Sequence, residues 1–169
     1  MKNKTLSTLL LSALFALPFS VQAQATSSQE ITTPSGVVRN LAQEEANKAL
    51  VIKFYDEVFN KHDLKEAPYK YLAENLIQHN PGVPDGRQGF IDRLTPIFEK
   101  APQRGSRLIR AAAEGDLVWT HMHSTENPSD RGRAIMDIFR VKDGKIVEHW
   151  DVVQPIPEPE KAKNSNGMF

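Results

Sequence analysis

The 169-residue chain contains no cysteine, which excludes disulfide bonds, thiolate metal ligands and a cysteine nucleophile. It also lacks an excess of either charge, because 21 Lys and Arg residues balance 21 Asp and Glu residues. A protein that neutralises phosphates needs a concentrated excess of basic residues, so we expect no nucleic-acid partner. The hydrophobic fraction of 40% is typical of a globular protein and argues against disorder.

Several catalytic and binding motifs are also missing from the sequence. It has no Gly-x-Ser-x-Gly, no phosphate-binding loop, no dinucleotide-binding glycine motif and no His-Glu-x-x-His.

The N-terminal segment has the pattern of a secretory signal peptide. Lys2 and Lys4 precede an apolar run, residues 9–17, which is too short to span a bilayer comfortably. Small residues follow at Ala23 and Ala25, and cleavage is expected after one of these two. We therefore expect a periplasmic or secreted protein that has no membrane association after cleavage.

The remaining chain is expected to form one domain. We assign residues 1–25 to the signal peptide, 26–43 to a linker, 44–156 to the folded domain and 157–169 to a flexible tail.

Apolar spacing predicts three helices in the first half of this domain. The first begins near Leu41 and ends near Lys61, and a short second one covers residues 64–72, with Asp63 as its possible cap. The third places Phe90 and Phe98 on one face, and Pro96 is expected to kink or split it.

The second half alternates between apolar and polar residues, which predicts four strands. They cover residues 107–113, 117–124, 133–141 and 145–153, with tight turns at Gly115-Asp116 and Asp143-Gly144. A short extended piece is expected at Leu76-Ile77. Helices followed by an antiparallel meander indicate an α+β domain, in which a curved sheet would wrap around the helices and leave a pocket.

One strand face is expected to carry a polar cluster. His121 and His123 alternate onto the same face as Trp119, and Asp137 interrupts an otherwise apolar strand. Centring the last hairpin on Asp143-Gly144 predicts the following cluster on one face: Trp119, His121, His123, Asp137, Phe139, Glu148 and Trp150. A slip of one residue would turn Asp137 to the other face. Taken alone, Glu148 and His149 fit ordinary strand residues, and Asp151 falls on the face opposite to Asp137, at the rim or surface.

Alternative interpretations of these polar residues remain open. The cluster could be a pocket for proton transfer, or a buried Asp–His hydrogen bond that only stabilises the sheet. His79 and Asn80 could line the pocket mouth, or they could simply start a turn before Pro81. A metal site would need three converging ligands, which His121 and His123 could supply together with either His79 or Asp137.

Residues 46–154 resemble the SnoaL-like branch of the nuclear-transport-factor-2-like superfamily. The segments that carry the resemblance are LIQHNPGVPDGRQGF, LVWTHMHS and MDIFRVKDGKIVEHWDVVQP, and they resemble most the predicted SnoaL-like aldol-condensation proteins. The resemblance implies a cystatin-like α+β cone, in which three N-terminal helices pack in a strongly curved antiparallel sheet. Superfamily members include polyketide cyclases and ketosteroid isomerase.

The resemblance also implies a chemistry. Asp137 would be the catalytic acid/base and His123 its partner, without metal or cofactor. His79 and Asn80 would lie in the pocket, and His121 and Trp150 would line its wall. We therefore expect an aldol-type cyclisation, an isomerisation or a related reaction on a small hydrophobic carbonyl compound.

Two further expectations concern partners and alternatives. The resemblance implies a homodimer formed through the outer sheet face, with Arg110, Met136, Ile138 and Val147 as contributors. The alternative to catalysis is a small-molecule-binding or dimeric interaction module of the same fold. Polyketide cyclases act in the cytosol, whereas this chain is expected to be exported, so the resemblance supports the fold and pocket better than the substrate.

Overall fold

The computed structural model describes residues 30–32 and 38–169. The predicted signal peptide and its cleavage sites lie outside these residues. A small antiparallel hairpin of β1 (Glu30–Thr32) and β2 (Val38–Asn40) occupies part of the segment that was expected to be a linker. Among the described residues, no helix is both long enough and apolar enough to cross a membrane.

Three helices follow, as predicted. The first, α1 (Leu41–Tyr55), begins where the Asn40 side chain accepts the N–H of Gln43, and a π-helical turn (Asp56–Asn60) extends it. The second, α2 (Ala67–Tyr71), is shorter than expected. Asp63 does not cap it, because the Asp63 carboxylate accepts the N–H groups of Lys65 and Glu66 in the preceding turn.

The third helix, α3 (Gly86–Lys100), runs through Pro96 without being split. Proline removes one backbone hydrogen bond, which is costly in a buried helix interior. Pro96 is exposed, so water can bind the carbonyl that loses its partner. The expected split is therefore wrong.

The main sheet contains the four predicted strands and one more. Its strands are β3 (Leu72–Gln78), β4 (Gly105–Glu114), β5 (Leu117–Thr125), β6 (Arg133–Lys142) and β7 (Lys145–Pro155), in the order β3-β7-β6-β5-β4. The last four form the predicted antiparallel meander, whereas β3 pairs parallel to β7. The α+β architecture with three helices against a curved sheet is confirmed, but the sheet is mixed.

The core lies between the helices and one face of the sheet, called the inner face below. Phe54 of α1 is 1% exposed, and its ring packs 5.8–6.1 Å from those of Tyr55, Phe59, Tyr71, Phe90 and Phe139. Full burial of such a side chain contributes roughly 1.5–3 kcal/mol to folding. The apolar stripe of α1 thus anchors the helices to the strands around the pocket.

A buried carboxylate fixes the start of α1 to the β4–β5 turn. Glu44 is 3% exposed, forms a two-point ion pair with Arg39, and accepts the N–H of Gly115 at 2.9 Å. Asn47 donates to the carbonyl of Gly115 at 3.3 Å. The hydrogen bonds from Arg39 lower the pKa of Glu44, so this contact favours the ionised carboxylate.

The register of β6 against β7 differs from the prediction. Val141 pairs with Ile146 as expected, but Arg140 pairs with Glu148, so Val147 is an extra residue in β7. This β-bulge reverses the alternation of the rest of β7. As a result His149 lies opposite Phe139 and Asp151 lies opposite Asp137.

The segment 157–169 makes contacts that a loose tail was not expected to make. Arg131 forms an ion pair with Glu158, and the ring of Phe169 lies 5.3 Å from that of His121 and 4.6 Å from that of His123. The C-terminal residues therefore lie against the outer face of the sheet.

Candidate active site

A cavity of about 350 Å³ lies between the helices and the inner face of the sheet. Most of its wall is apolar. The apolar residues include Phe54, Phe59, Leu72, Leu76, Phe90, Leu94, Ile135, Phe139 and Ile146. Its volume and lining suit a small, largely apolar ligand.

Asp137 is the buried acid of this cavity. It is 3% exposed, and its Oδ2 accepts hydrogen bonds from the Tyr55 hydroxyl at 2.7 Å and the Thr120 hydroxyl at 3.1 Å. Its Oδ1 lies 3.2 Å from Nε2 of His149. Strands β5, β6 and β7 and helix α1 each contribute one of these four side chains, so the fold itself holds the carboxylate in place.

Tyr55 acts as a hydrogen-bond donor to this carboxylate. Burial, followed by the negative charge of Asp137, raises the pKa of Tyr55 well above its ordinary value. The hydroxyl therefore stays protonated and continues to donate to Asp137 at neutral pH.

The contacts of His149 define where its protons lie. Nδ1 is 2.7 Å from Oε1 of Gln78, and the same oxygen accepts the backbone N–H of Asn80 at 3.1 Å. Because the Asn80 N–H identifies this Gln78 atom as the oxygen, Nδ1 of His149 carries a hydrogen and donates it.

His149 also contacts the carboxyl group of Asp137. Nε2 of His149 lies 3.2 Å from Oδ1 of Asp137, which is within reach of a hydrogen bond. Phe139, stacked 4.8 Å from the His149 ring, holds the ring in this orientation. The arrangement places a carboxyl group and an imidazole in contact beside an apolar cavity.

Asp151 is the third titratable group of the site. It lies beside Asp137 across the strand pair, and Asn80 Nδ2 contacts its two carboxylate oxygens at 2.8 and 2.7 Å. Within residues 30–32 and 38–169, the only group placed to hold a metal ion is Asp137, His149 and Asp151, with ligand atoms within 4.8 Å of one another. Two carboxylates and an imidazole are acceptable ligands for a divalent cation.

The predicted site residues divide between the two faces of the sheet. Asp137, Phe139 and Asn80 line the cavity. The others lie elsewhere, mostly on the outer face: Trp119, His121, His123, Glu148, Trp150 and His79. The predicted single cluster is therefore wrong, because Thr120 and not a histidine pairs with Asp137, and the bulge at Val147 turns Glu148 and Trp150 away.

The outer-face histidines have partners of their own. His123 Nε2 lies 2.9 Å from the carbonyl of Arg131, so the expected pairing of His123 with Asp137 is wrong. His79 stacks on Trp150 at 4.7 Å and its Nε2 lies 2.9 Å from Glu148. His79, His121 and His123 do not converge, so the proposed metal site on them is also wrong.

Sequence reasoning missed Tyr55, Gln78, Thr120 and His149 and placed Asp151 on the wrong face. The sequence did contain a signal for His149 and Asp151. A shift of one residue in the last hairpin brings both His149 and Asp151 to the face of Asp137. Tyr55 and Thr120 carried no such signal, since the apolar stripe of α1 and the alternation of β5 would equally fit core residues.

The geometry can be compared with known proteins. The family model described as SnoaL-like domain matches residues 51–149, which is more than half of the chain. The chain belongs to the SnoaL-like domain family. The match begins within α1 and includes α2, α3, most of the cavity-lining residues and both partners of the Asp137–His149 pair. No curated protein matches this SnoaL-like chain.

Solved structures share the fold of this SnoaL-like protein. IdmH from Streptomyces antibioticus, described as a candidate polyketide cyclase, is 25% identical with a TM-score of 0.54, covering 63% of this chain and 91% of IdmH. A loop truncation variant of IdmH is 26% identical with a TM-score of 0.56 over the same shares. A candidate ketosteroid isomerase from Kribbella flavida is 17% identical with a TM-score of 0.58, covering 74% of this chain and 93% of its own. The last likeness shows the fold alone.

Proposed function

We propose that this SnoaL-like protein catalyses cofactor-independent acid/base chemistry on a small hydrophobic carbonyl compound. The observation that carries the proposal is the contact of the buried Asp137 carboxyl group with Nε2 of His149, at 3.2 Å, beside an apolar cavity. The description of IdmH as a candidate polyketide cyclase supports the same class of reaction.

The first step is removal of a proton from the carbon next to the carbonyl group. The carboxylate of Asp137 takes this proton, and the electron pair of the broken C–H bond moves into an enolate. The apolar wall of the cavity disfavours water beside the enolate, and His149, which lines the same cavity, supplies an N–H for its oxygen.

The second step returns the proton. In an isomerisation, Asp137 delivers it to a different carbon of the same molecule. In an aldol closure, the enolate carbon attacks a second carbonyl, and His149 protonates the alkoxide that forms. Both outcomes leave the protein with the same number of protons as before.

Proton exchange tests this proposal directly. The probe is 2-tetralone in D₂O, a small apolar ketone whose α-hydrogens exchange for deuterium in an NMR assay. The wild-type protein should accelerate exchange, and Asp137→Asn should lose about 100-fold or more of that acceleration, because the base is gone. Asp116→Asn, an exposed surface carboxylate paired with Arg140, is the matched control and should keep the wild-type rate.

Two results would contradict the proposal. Exchange that survives Asp137→Asn would remove the assigned base. A wild-type protein that binds 2-tetralone without accelerating exchange would instead support a binding module of the same fold.

The proposal includes export and a homodimer. Export is supported by the sequence pattern of residues 1–25. The homodimer is supported by exposed apolar side chains on the outer face, where Met136 is 43% and Val152 is 69% exposed. Native mass spectrometry of the protein expressed with its N-terminal segment should give a dimer of chains cleaved after Ala23 or Ala25. An uncleaved protein would contradict the proposed export, and a monomeric protein would contradict the proposed homodimer.

A further inference from the structure

Three arginines line the same cavity as the catalytic pair. Arg104 immediately precedes β4, Arg133 begins β6, and Arg93 lies on α3. Glu126, which follows β5, is the acidic cavity residue beside Arg104 and Arg133. The sheet pairing brings Arg104, Glu126 and Arg133 to one end of the strands, whereas Asp137 lies further along β6. The cavity therefore has a basic end and an acidic end.

The positive charge at the basic end is only partly compensated. Glu126 Oε1 lies 2.7 Å from Arg133 but 3.7 Å from Arg104, so one carboxylate serves two guanidinium groups. Asp130 is nearby, but its oxygens accept the backbone N–H groups of Glu126 and Gly132. Arg93 donates to the carbonyl of Gly82, and no acidic side chain in the described part of the chain forms an ion pair with it.

Arg104 is the most constrained of the three arginines. Its side chain is only 13% exposed, and among the described residues its guanidinium donates no hydrogen bond within the normal range. Burial and the charge of Arg133 lower the pKa of Arg104. The remaining exposure of Arg104 leaves its unpaired nitrogens in reach of water, and a ligand that supplies anionic oxygens would replace this water with charge-assisted hydrogen bonds.

We propose that the substrate of this pocket carries a carboxylate, which Arg104 and Arg133 bind while its carbonyl carbon lies against Asp137 and His149. This inference rests on the proposed function and narrows its substrate class to keto acids. The planar fork of a guanidinium fits a carboxylate better than it fits a neutral carbonyl. Asp137 and Asp151 repel a carboxylate at the other end, so the substrate has only one favourable direction in the cavity.

The spacing along β6 sets the shape of this substrate. Arg133 and Asp137 lie on the same face of β6, and their backbones are about 13 Å apart at the usual rise of a strand. The arginine side chain reaches part of this distance. An apolar body about the size of a fused ring should therefore separate the carboxylate from the reacting carbon, which agrees with the apolar Ile135 that lines the cavity between Arg133 and Asp137 on β6.

A matched pair of ligands tests the inference. Isothermal titration calorimetry would compare 2-naphthoate with 2-naphthamide, which share size and shape and differ in charge. The wild-type protein should bind the carboxylate about tenfold more tightly, as expected for a charge-assisted hydrogen bond in place of a neutral one. Arg104→Gln should remove most of this preference and leave the binding of the amide unchanged. Arg107→Gln, an exposed arginine on the outer face, is the control and should keep the preference.

A salt series on the wild-type protein does not depend on the folding of any variant. Raising the ionic strength should weaken binding of 2-naphthoate and leave 2-naphthamide unaffected. Equal binding of the two compounds, binding of neither, or a preference that survives in Arg104→Gln would each overturn the inference. Failure of the proposed function would give a different result. Deuterium exchange of 2-tetralone would then survive Asp137→Asn, whether or not the protein prefers 2-naphthoate to 2-naphthamide.

Discussion

At the scale of single residues, Asp137 depends on its hydrogen-bond donors. Its burial would be costly for an isolated charge, and the Tyr55 and Thr120 hydroxyls together with His149 offset that cost. The same partners fix the orientation of the carboxylate, because each of its two oxygens has at least one of these contacts. The same hydrogen bonds therefore both position Asp137 for chemistry and stabilise its burial in the fold.

Tyr55→Phe should weaken both the positioning of Asp137 and the stability of the fold. It removes the 2.7 Å hydrogen bond to Asp137 and leaves the rest of the ring in the core. The free energy of unfolding should fall by roughly 1–3 kcal/mol, because the lost partner is a charged group. The exchange rate on 2-tetralone should fall with it, mainly through kcat. Tyr69→Phe, at a half-exposed tyrosine, is the control, and equal behaviour of the two variants would argue against a positioning role for Tyr55.

Sequence reasoning found Asp137, Asn80 and Phe139 but not the histidine that contacts the acid. Asp137 was recognisable because a carboxylate in an apolar strand needs a partner. His149 was assigned to the wrong face because alternation assigns faces only when the register is known, and the register depends on the bulge at Val147. His121 and His123 were the more conspicuous pair in the sequence, yet their strand presents Thr120 to the inner face.

At the scale of elements, the boundaries of the strands could be predicted more closely than their pairing. The four meander strands were expected within one or two residues of their observed ends, since alternation and glycine turns are local signals. The parallel pairing of β3 with β7 joins segments about 70 residues apart, and no local pattern encodes it. The bulge is equally hidden, because Val147 looks like any other strand residue.

The loop between β5 and β6 has a stringent requirement at Gly132. This residue has a φ of +81°, and a Cβ there would lie 2.3 Å from the carbonyl oxygen of Ser124. Gly132→Ala should therefore destabilise the protein by more than the roughly 1–2 kcal/mol that the left-handed conformation alone costs. Gly144→Ala is the matched control, with a φ of +71° and no neighbouring atom within 4 Å. Thermal or urea unfolding of both variants measures the difference, and a Gly132→Ala variant no less stable than Gly144→Ala would be inconsistent with the loop geometry.

At the scale of the whole molecule, the contact of α1 with the β4–β5 turn should make stability depend on pH. The pKa of Glu44 is lowered in the folded protein, chiefly by Arg39, so its contribution is fully present above the unfolded pKa of about 4.3. It is lost as the pH falls through the folded value, where the carboxylate becomes protonated.

Glu44→Gln should isolate the contribution of the Glu44 charge to the pH dependence of stability. At pH 7 the variant should be less stable than the wild type by roughly 1–3 kcal/mol. The difference should shrink below pH 4, because the wild type loses the same charge. Glu45→Gln, on the exposed side of the same helix, is the control and should follow the wild type at every pH. Urea unfolding across this pH range would measure it, and a constant difference between Glu44→Gln and the wild type would contradict the assignment.

The central claim is that proton transfer occurs on the inner face, through Asp137 and His149, and not through the outer-face histidines. The most direct measurement is deuterium exchange of 2-tetralone by two matched variants, His149→Gln and His123→Gln. The account predicts that His149→Gln loses about 100-fold of the acceleration, which is the usual contribution of a positioned acid/base group, while His123→Gln keeps the wild-type rate. Loss of exchange in His123→Gln with full activity in His149→Gln would contradict the account.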